Sequence, residues 1–278
     1  MLKLGIRLKQ IEALVAPDYH HIWDCCCDHG LLGTSLLQKQ IAPHIHFVDI
    51  VPELITSLTQ KLEIHFPQIQ NQSQRKNKRS QWHTHCLDIS QLPLDTDLHL
   101  VIIAGIGGEL MAQCVKDITT KHPNLAIDFL LCPVHHIYTL REQLIALNMG
   151  LQKEVLIKEN NRYYEILYVS NQVANAKIRT KTKAKIENIR LKNISIVGEE
   201  LWGTDEINKK ENAQNYLKKT LEHYLRIQAG IHKANDLKAN HLKANHLKTN
   251  HLKIDQKAEQ NIRVDHIIKA YQDIADKL

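Results

Sequence analysis

The stretch DCCCDHG, residues 24–30, concentrates side chains that could perform several kinds of chemistry. Three consecutive cysteines stand between Asp24 and Asp28, and His29 and Gly30 follow at once. A structural zinc site needs spaced ligand pairs, whereas the other cysteines of the chain are scattered singly. A nucleophilic thiol needs an electropositive setting, and two flanking aspartates provide the opposite. The pattern therefore favours neither a metal site nor a catalytic cysteine.

The same stretch suits a loop that follows a strand and lies close to a ligand. Cysteine is compact enough for close approach, although it lacks the backbone freedom of glycine. The G-x-G-x-x-G fingerprint of dinucleotide-binding loops is missing here, and an acidic loop disfavours a phosphate. Two carboxylates favour a cationic ligand instead. S-adenosylmethionine, with its sulfonium and amino groups, has the required charge.

Two further aspartates fall where later strands are predicted to end. Asp49 lies 25 residues after Asp24, near the spacing at which an acid meets ribose hydroxyls in nucleotide-binding α/β folds. Alternatively, Asp49 caps the helix that is predicted to begin at Pro52. Asp88 is expected to accept a hydrogen bond from an adenine amino group, or to serve as an ordinary turn aspartate. Both residues are therefore candidate ligand contacts with a structural alternative.

A glycine-rich turn follows the next predicted strand. Gly105, Gly107 and Gly108 would let the backbone pass close to a bound molecule, or would form a turn for packing alone. These clusters are separated by segments with helical spacing, and two strands joined by Asn160-Asn161 close the series. This alternation predicts an open, mostly parallel α/β sheet with a closing β-hairpin. Ligands of such sheets bind at the carboxyl ends of the strands, and the candidate aspartates and the glycine turn lie at these ends.

The composition changes after residue 170. Residues 177–185 carry a cation at every second position, which predicts a solvated basic linker or a segment that contacts RNA phosphates. Two segments with helical spacing then predict a coiled-coil-like helical hairpin over the remainder of 171–278. Between them, residues 234–253 form a pentapeptide repeat. A five-residue step spreads its leucines and histidines around a helix, so we expect a longer hairpin tip and no metal site.

The bulk properties are those of an ordinary globular chain with a mildly basic surface. The 278 residues carry a net charge of +6, and Arg75, Lys76, Lys78 and Arg79 concentrate positive charge in one polar loop. This balance suits an anionic partner. The N-terminal segment is amphipathic, and no window is apolar enough for a membrane span. We therefore expect a cytoplasmic protein with reduced thiols and no membrane partner.

Seven segments resemble the bacterial tRNA (adenine-22-N1)-methyltransferases, in the order expected of that family. They are RLKQI, DCCCDHGLLG, VDIVPEL, HCLDIS, LVIIAGIGGELM, CPVHHIYTLREQL and ENNRYYEILYV. The most specific signals are D-x-x-x-D-H, A-G-x-G-G and Y-Y-E. The resemblance covers about residues 1–170, which it identifies as a methyltransferase domain, and leaves 171–278 as the linker and helical hairpin.

The resemblance implies a Rossmann-like class I methyltransferase that uses S-adenosylmethionine to methylate N1 of adenine-22 in the D-arm region of tRNA. The residues at cofactor-binding positions are Asp24, Cys26, Asp28, His29, Gly30, Asp49, Ile50, Asp88, Ile89, Ala104 and Gly105. No catalytic residue is assigned, and the candidates for a catalytic role are Asp28, His29, Gly107 and Tyr164. The residues expected to contact tRNA are Arg7, Arg75, Lys76, Lys78 and Arg79. The expected assembly is a monomer or weak dimer without a metal.

Two departures from the family pattern affect these assignments. Cys26 stands where the family has glycine, and the family's Q-P-N reads Cys132-Pro133-Val134. The second change removes hydrogen-bonding groups from the expected base pocket, where His135 or His136 would substitute. Two alternatives therefore stay open: a non-catalytic RNA-binding protein on a methyltransferase fold, or a methyltransferase of another substrate.

Overall fold

A computed structural model describes residues 4–68, 80–171, 191–203, 207–244 and 251–278. The chain divides into two compact units, Met1–Ser195 and Ile196–Leu278. The first unit extends past residue 170, where the sequence analysis placed the domain division. It does so because a short strand at Lys192–Asn193 pairs with the hairpin strand Met149–Glu159.

The first unit is built on an eight-stranded sheet with the order β3-β2-β1-β4-β5-β7-β6-β8. The strands are β1 His21–Cys25, β2 His44–Asp49, β3 Gln81–Cys86, β4 His99–Ala104, β5 Ile127–Cys132, β6 Met149–Glu159, β7 Arg162–Asn171 and β8 Lys192–Asn193. The first five strands pair in parallel, and β7, β6 and β8 are antiparallel. This confirms the predicted Rossmann-like α/β sheet with a closing hairpin.

Five α-helices accompany the sheet in the described part of this unit. They are α1 Ile6–Leu14, α2 Leu31–Gln38, α3 Pro52–His65, α4 Gly108–Lys121 and α5 Ile137–Ala146. Side chains alternate across each strand, so the sheet divides the core into two layers. Ile22 and Ile102 pack in one layer with residues of α1, α2 and α3. Val101 and Ile103 pack in the other layer with residues of α4 and α5.

The hairpin turn forms as the sequence predicts. Asn160 and Asn161 have φ values of 48° and 60°, both in the left-handed region. A two-residue turn with positive φ at both positions matches the twist of antiparallel strands, and asparagine tolerates this conformation better than most residues.

The second unit contains a pair of long helices, α6 Ile207–Ala244 and α7 His251–Ala275. Tyr224 stacks on Tyr271 with a centroid distance of 6.2 Å, and Gln228 Nε2 donates to Asp265 Oδ1 at 2.6 Å. Residues later in α6 therefore contact residues earlier in α7, as in an antiparallel hairpin. Residues 177–185 of the predicted linker and 245–250 of the repeat lie outside the described residues.

Within the described ranges, no helix combines the length and apolar composition that a bilayer span requires.

Candidate active site

A cavity of about 350 Å³ opens at the carboxyl ends of β1 and β4. This is the edge at which open parallel sheets bind ligands. The residues that line it are Arg7, Leu8, Asp24, Cys26, Cys27, Asp28, His29, Leu31, Leu32, Ala104 and Gly105. The fold thus brings together the acidic loop, the start of the glycine turn and one arginine of α1. Leu8, Leu31 and Leu32 were not singled out from the sequence, because single leucines on helices carry no signal beyond core packing.

The loop between β1 and α2 is tightly wound. Cys26, Asp28 and Gly30 have φ values of 54°, 50° and 67°, so three residues of this loop adopt the left-handed conformation. Only glycine does so without steric cost. The glycine of the family pattern at the position of Cys26 therefore corresponds to a conformational requirement of this loop.

The three consecutive cysteines are free thiols, of which Cys25 and Cys27 are buried and Cys26 is partly buried. All six cysteines of the chain are free, and Cys25 and Cys27 pack in opposite core layers. Burial and, after it, the charges of Asp49 and the other nearby acids raise the pKa of Cys26 to about 12. A thiol with this pKa stays protonated at neutral pH and is a poor nucleophile. The cysteines therefore serve as compact packing residues, as expected from the sequence.

Asp24 is the buried acid of the cavity, with 5% of its surface exposed. Its Oδ2 atom accepts a 2.8 Å hydrogen bond from the backbone N–H of Gly33. Burial raises the pKa of Asp24, the Gly33 hydrogen bond lowers it and the charge of Asp49 raises it, and the resulting pKa is about 7. A cationic ligand in the cavity would stabilise the ionised carboxylate.

Asp49, at the end of β2, is hydrogen-bonded to the same loop. Its Oδ2 accepts a 3.1 Å hydrogen bond from the amide of Asp28, and its Oδ1 accepts one of 3.1 Å from the amide of Val51. Val51, not Asp49, is the N-cap of α3, so the capping alternative for Asp49 is wrong. Each carboxylate oxygen keeps a further lone pair that could accept a ribose hydroxyl.

Asp28 and His29 stand at the more open side of the cavity. Their side chains are largely exposed, and His29 Nε2 lies 3.6 Å from Asp28 Oδ1. Both candidates therefore face the ligand space with their polar atoms accessible.

Five predicted cofactor contacts do not line this cavity: Asp49, described above, and Gly30, Ile50, Asp88 and Ile89. Gly30 packs against Leu58 and Phe47, where a Cβ atom would come within 2.7 Å of Leu58. Asp88 is exposed, and its Oδ1 accepts a 2.8 Å hydrogen bond from the amide of Ser90, as in the turn alternative. Its contact with an adenine amino group stays a prediction. Ile50, which follows Asp49, is exposed, and Ile89, which follows Asp88, is buried in the core.

The glycine turn after β4 lies beside the end of β5. Three backbone hydrogen bonds join the two segments: Gly105 N to Cys132 O at 3.2 Å, Val134 N to Ile106 O at 3.0 Å, and Gly108 N to His135 O at 2.9 Å. Gly107, the N-cap of α4, lies directly under His135, because a Cβ atom there would meet the imidazole at 2.3 Å. The missing side chain of Gly107 therefore makes room for His135, whereas His136 turns away to Glu109.

Arg7 and Tyr164 form a second wall near the cavity. The Arg7 guanidinium lies 5.2 Å from the centre of the Tyr164 ring, and the amide of Arg7 donates to Glu159 Oε1 at 3.1 Å. Tyr163 points to the other side of β7, where Lys158 covers its ring. Of the two tyrosines, Tyr164 is therefore the one near the site. Glu159 was missed in the sequence because its contact joins residues 152 positions apart.

The basic loop predicted to contact RNA, including Arg75, Lys76, Lys78 and Arg79, lies outside the described residues.

The sheet order and the cavity at the ends of β1 and β4 define a Rossmann-like α/β protein with a ligand site at its strand ends. Residues 4–167 match the model of the methyltransferase domain family, and the chain belongs to that family. A search of curated protein sequences gives no match.

Three solved bacterial structures share the fold over nearly the whole chain. The Bacillus subtilis M1A22 tRNA methyltransferase TrmK is 15% identical, with a TM-score of 0.61 and 99% of each chain covered. M. capricolum TrmK in complex with S-adenosyl-homocysteine is 15% identical, with a TM-score of 0.60 and coverage of 96% of this chain and 99% of that one. A Streptococcus agalactiae protein of the NADB-Rossmann superfamily is 17% identical, with a TM-score of 0.60 and coverage of 98% and 97%.

Proposed function

We propose that this protein is an S-adenosylmethionine-dependent tRNA methyltransferase that modifies N1 of an adenine in the D-arm region, adenine-22. The main observation that supports this proposal is the acid-lined cavity at the ends of β1 and β4, in a chain of the methyltransferase domain family. The fold is shared with M1A22 tRNA methyltransferases, and one of the structures with that fold holds S-adenosyl-homocysteine. We expect the reaction to take place in the cytoplasm.

The residues of the cavity fit this cofactor by charge and shape. Asp24 and Asp28 supply negative charge for a sulfonium and an amino group, and Ala104 and Gly105 leave space for close contact. Asp49 keeps acceptor capacity beside Asp28 for ribose hydroxyls. S-adenosylmethionine, when bound, supplies an electrophilic methyl group.

The chain's own contribution to catalysis is alignment and electrostatics. Adenine N1 carries an in-plane lone pair, so it attacks a methyl carbon without prior deprotonation and needs no general base. The site must therefore hold the base so that N1 lies in line with the bond that breaks. The methylated adenine is cationic, and Asp28 at the open side of the cavity would stabilise that charge.

The target base would enter between Tyr164 and the glycine turn. A base within folded tRNA must leave its stack to reach a pocket, and an aromatic ring provides a stacking surface for it. Tyr164 lies beside Arg7 at the cavity. His135, packed on Gly107, offers ring nitrogens for the base edge in place of the side chains lost at Cys132-Pro133-Val134.

Affinity for tRNA would come mainly from phosphate contacts. Lysine and arginine side chains of the 75–79 loop and of residues 177–185 carry the concentrated positive charge of the sequence. This partner also explains a basic loop and an added helical pair, which a methyltransferase of small molecules would not need.

The proposal is tested by calorimetric titration with S-adenosylmethionine, followed by transfer of its labelled methyl group to bulk tRNA. We expect binding by the wild type, roughly tenfold weaker binding by Asp49→Ala, and unchanged binding by Asp18→Ala, an exposed control. Cofactor binding without transfer to any RNA would indicate the non-catalytic alternative, and transfer only to non-RNA substrates would indicate a different methyltransferase. Either result would contradict the proposal.

A further inference from the structure

Six histidines from four strands lie together at one side of the sheet. They occupy alternate positions of the strands: His21 on β1, His44 and His46 on β2, His83 and His85 on β3, and His99 on β4. Their rings are in mutual contact, with centroid distances such as 4.7 Å between His21 and His44 and 5.0 Å between His21 and His99. We call this set the histidine face.

The histidine face is on the side of the sheet that α4 and α5 cover elsewhere. Trp23, which belongs to that core layer, stacks on His46 at 3.7 Å. Between β3 and β4 the described chain has only a short 3-10 turn, Ile89–Gln91, where a full helix would cover β2 and β3. Imidazoles therefore take the place of apolar side chains at this part of the sheet, and four of the six are partly exposed.

At one edge of the histidine face, a ring nitrogen meets two carboxylates. His21 Nε2 lies 3.7 Å from Asp95 Oδ2 and 3.5 Å from Asp97 Oδ2. One nitrogen and two oxygens, one from each residue, all lie within 4.8 Å of one another. Two ligand atoms of a tetrahedral zinc ion are separated by about 3.4 Å when each bond is about 2.1 Å. The observed spacing thus leaves room for one small cation.

Asp95 is held in position by partners that leave one oxygen free. Trp23 Nε1 donates to His99 Nδ1 at 3.1 Å, so neutral His99 carries its proton on Nε2. That nitrogen lies 3.0 Å from Asp95 Oδ1, which also accepts from the amide of Asp97 at 3.0 Å. Oδ2, the oxygen directed to His21, is then available. Such outer-shell hydrogen bonds are a regular feature of metal ligands.

His21 is oriented in the same way through its other ring nitrogen. His21 Nδ1 lies 2.9 Å from His46 Nε2, and His46 Nδ1 lies 2.9 Å from His85 Nε2. When His46 donates to His85, it accepts from His21, and the Nε2 lone pair of His21 is left to face the carboxylates.

A fourth group lies next to this trio. His20 Nδ1 is shielded from solvent and has no hydrogen-bond partner among the described residues, and it lies 3.4 Å from Asp97 Oδ1. A bound cation with one open position would offer this nitrogen a partner.

We propose that His21, Asp95 and Asp97 bind a divalent first-row transition metal, with Zn²⁺ as the expected ion. Imidazole nitrogen with carboxylate oxygen suits Zn²⁺ better than Mg²⁺, which prefers oxygen ligands alone. The ion would join the first residue of β1 to the turn before β4, at the opposite strand ends from the cavity. Its role is therefore a structural brace, and it does not rest on the proposed function.

No metal is expected from the sequence, because neither the clustered cysteines nor the repeat histidines have the spacing of a ligand set. The proposed ligands are instead separated by more than seventy positions along the chain and meet only in the folded sheet.

The test compares the untagged full-length chain with the double variant Asp95→Asn/Asp97→Asn after treatment with a chelator. Both carboxylates are more than half exposed, at 58% and 51%, so the double variant retains its core. Asp273→Asn, an exposed position of α7, is the matched control. Zn²⁺ and Mg²⁺ are titrated by calorimetry, Co²⁺ by visible absorption, and thermal unfolding is followed with and without Zn²⁺.

We expect the wild type and the control to bind one more Zn²⁺ than the double variant, with at least roughly tenfold loss of affinity in the variant. We also expect a Co²⁺ absorption band of a four-coordinate site and a Zn²⁺-dependent rise in Tm, both absent from the double variant. The difference in bound Zn²⁺ between the wild type and the double variant distinguishes this site from weak binding by other histidines, which both proteins contain.

Equal Zn²⁺ uptake by all three proteins would overturn the proposal. Equal binding of Mg²⁺ and Zn²⁺ at the site would overturn the choice of metal class. A loss of Tm in the double variant that is the same with and without Zn²⁺ would instead identify an ion pair between His21 and the two carboxylates, and would also overturn the proposal.

Discussion

The amide of Asp28 donates a 3.1 Å hydrogen bond to Asp49 Oδ2, which ties the loop after β1 to the acid at the end of β2. Asp28 and Asp49, which are predicted separately from the sequence as cofactor contacts, are thus hydrogen-bonded to each other. Asp49 also raises the pKa of buried Asp24. Asp49 is therefore coupled to Asp28 by a hydrogen bond and to Asp24 by charge. A substitution at any of them is expected to affect the position or the charge of the others.

The first prediction concerns the pH dependence of cofactor binding. Asp24 has its pKa raised to about 7, chiefly by burial, and a cationic ligand binds better to its ionised form. Affinity for S-adenosylmethionine should therefore increase by about tenfold between about pH 6 and about pH 8 in the wild type. In Asp24→Asn this increase should vanish, as measured by calorimetry. An unchanged pH profile in the variant would exclude Asp24 as the titrating group.

The same pKa predicts a stability effect with a defined sign. A carboxyl whose pKa is higher in the folded state contributes stability below its unfolded pKa, about 4, and loses that contribution as pH rises through about 7. The ligand-free Asp24→Asn variant should therefore gain stability relative to wild type at about pH 8 but not at about pH 4. Denaturant unfolding at both pH values measures this difference, and a gain at the lower pH alone would contradict it.

The second prediction concerns the left-handed conformation of Cys26. Its φ is 54°, and an L-residue in this region costs roughly 1–2 kcal/mol relative to glycine. Cys26→Gly should raise the free energy of unfolding by about 1 kcal/mol and leave cofactor affinity equal or tighter. Cys27→Gly is the matched control and should destabilise, because Cys27 is buried and has an ordinary φ. Equal destabilisation by both substitutions would show that Cys26 is not strained.

The third prediction concerns Tyr164. If its ring stacks on the target base, Tyr164→Ala should lower kcat/KM for tRNA by roughly tenfold to a hundredfold, corresponding to about 1–3 kcal/mol. Tyr164→Phe should retain most of the activity because the ring is kept. Tyr163→Ala is the control, since Tyr163 lies on the other side of β7 beside Lys158. Equal losses for the two alanine variants would contradict the stacking role.

The fourth prediction concerns the basic loop, and it rests on sequence alone. Charge reversal of Arg75, Lys76, Lys78 and Arg79 should weaken tRNA binding and flatten the dependence of log K on log salt, by about 0.7–0.9 per lost phosphate contact. Reversal of four exposed lysines elsewhere, Lys61, Lys116, Lys121 and Lys153, changes the net charge by the same amount and is the control. Filter binding across a salt series measures both slopes. An unchanged slope in the loop variant would remove the loop from the interface.

The sequence predicts the parts of this molecule that depend on local patterns. Strand ends marked by Asp24, Asp49 and Gly105 lie at one edge of the sheet, because parallel strands with right-handed crossovers place their carboxyl ends together. The Asn160-Asn161 turn is predicted for a similar reason, since turn chemistry is local.

Other features could not be predicted because they depend on pairs that are distant in the chain. Arg141 of α5 is fully buried and donates to Glu165 at 2.9 Å and to Glu154 at 2.6 Å, which joins the helix to both hairpin strands. A charged residue within a helical pattern gives no sign of such burial. Likewise, Asp88 follows a strand as Asp49 does, yet its Oδ1 accepts from the amide of Ser90 in the 3-10 turn after β3, whereas Asp49 accepts from the amide of Asp28 in the loop after β1.

The central claim is methyl transfer to N1 of adenine-22, and mapping the modified nucleoside in tRNA tests it most directly. Two transcripts that differ only by adenine or guanine at position 22 are incubated with the protein and labelled S-adenosylmethionine, and the products are digested and identified by mass spectrometry. The account predicts 1-methyladenosine at position 22 of the first transcript and no transfer to the second. Equal labelling of both transcripts, or a methyl group on any other atom, would contradict it.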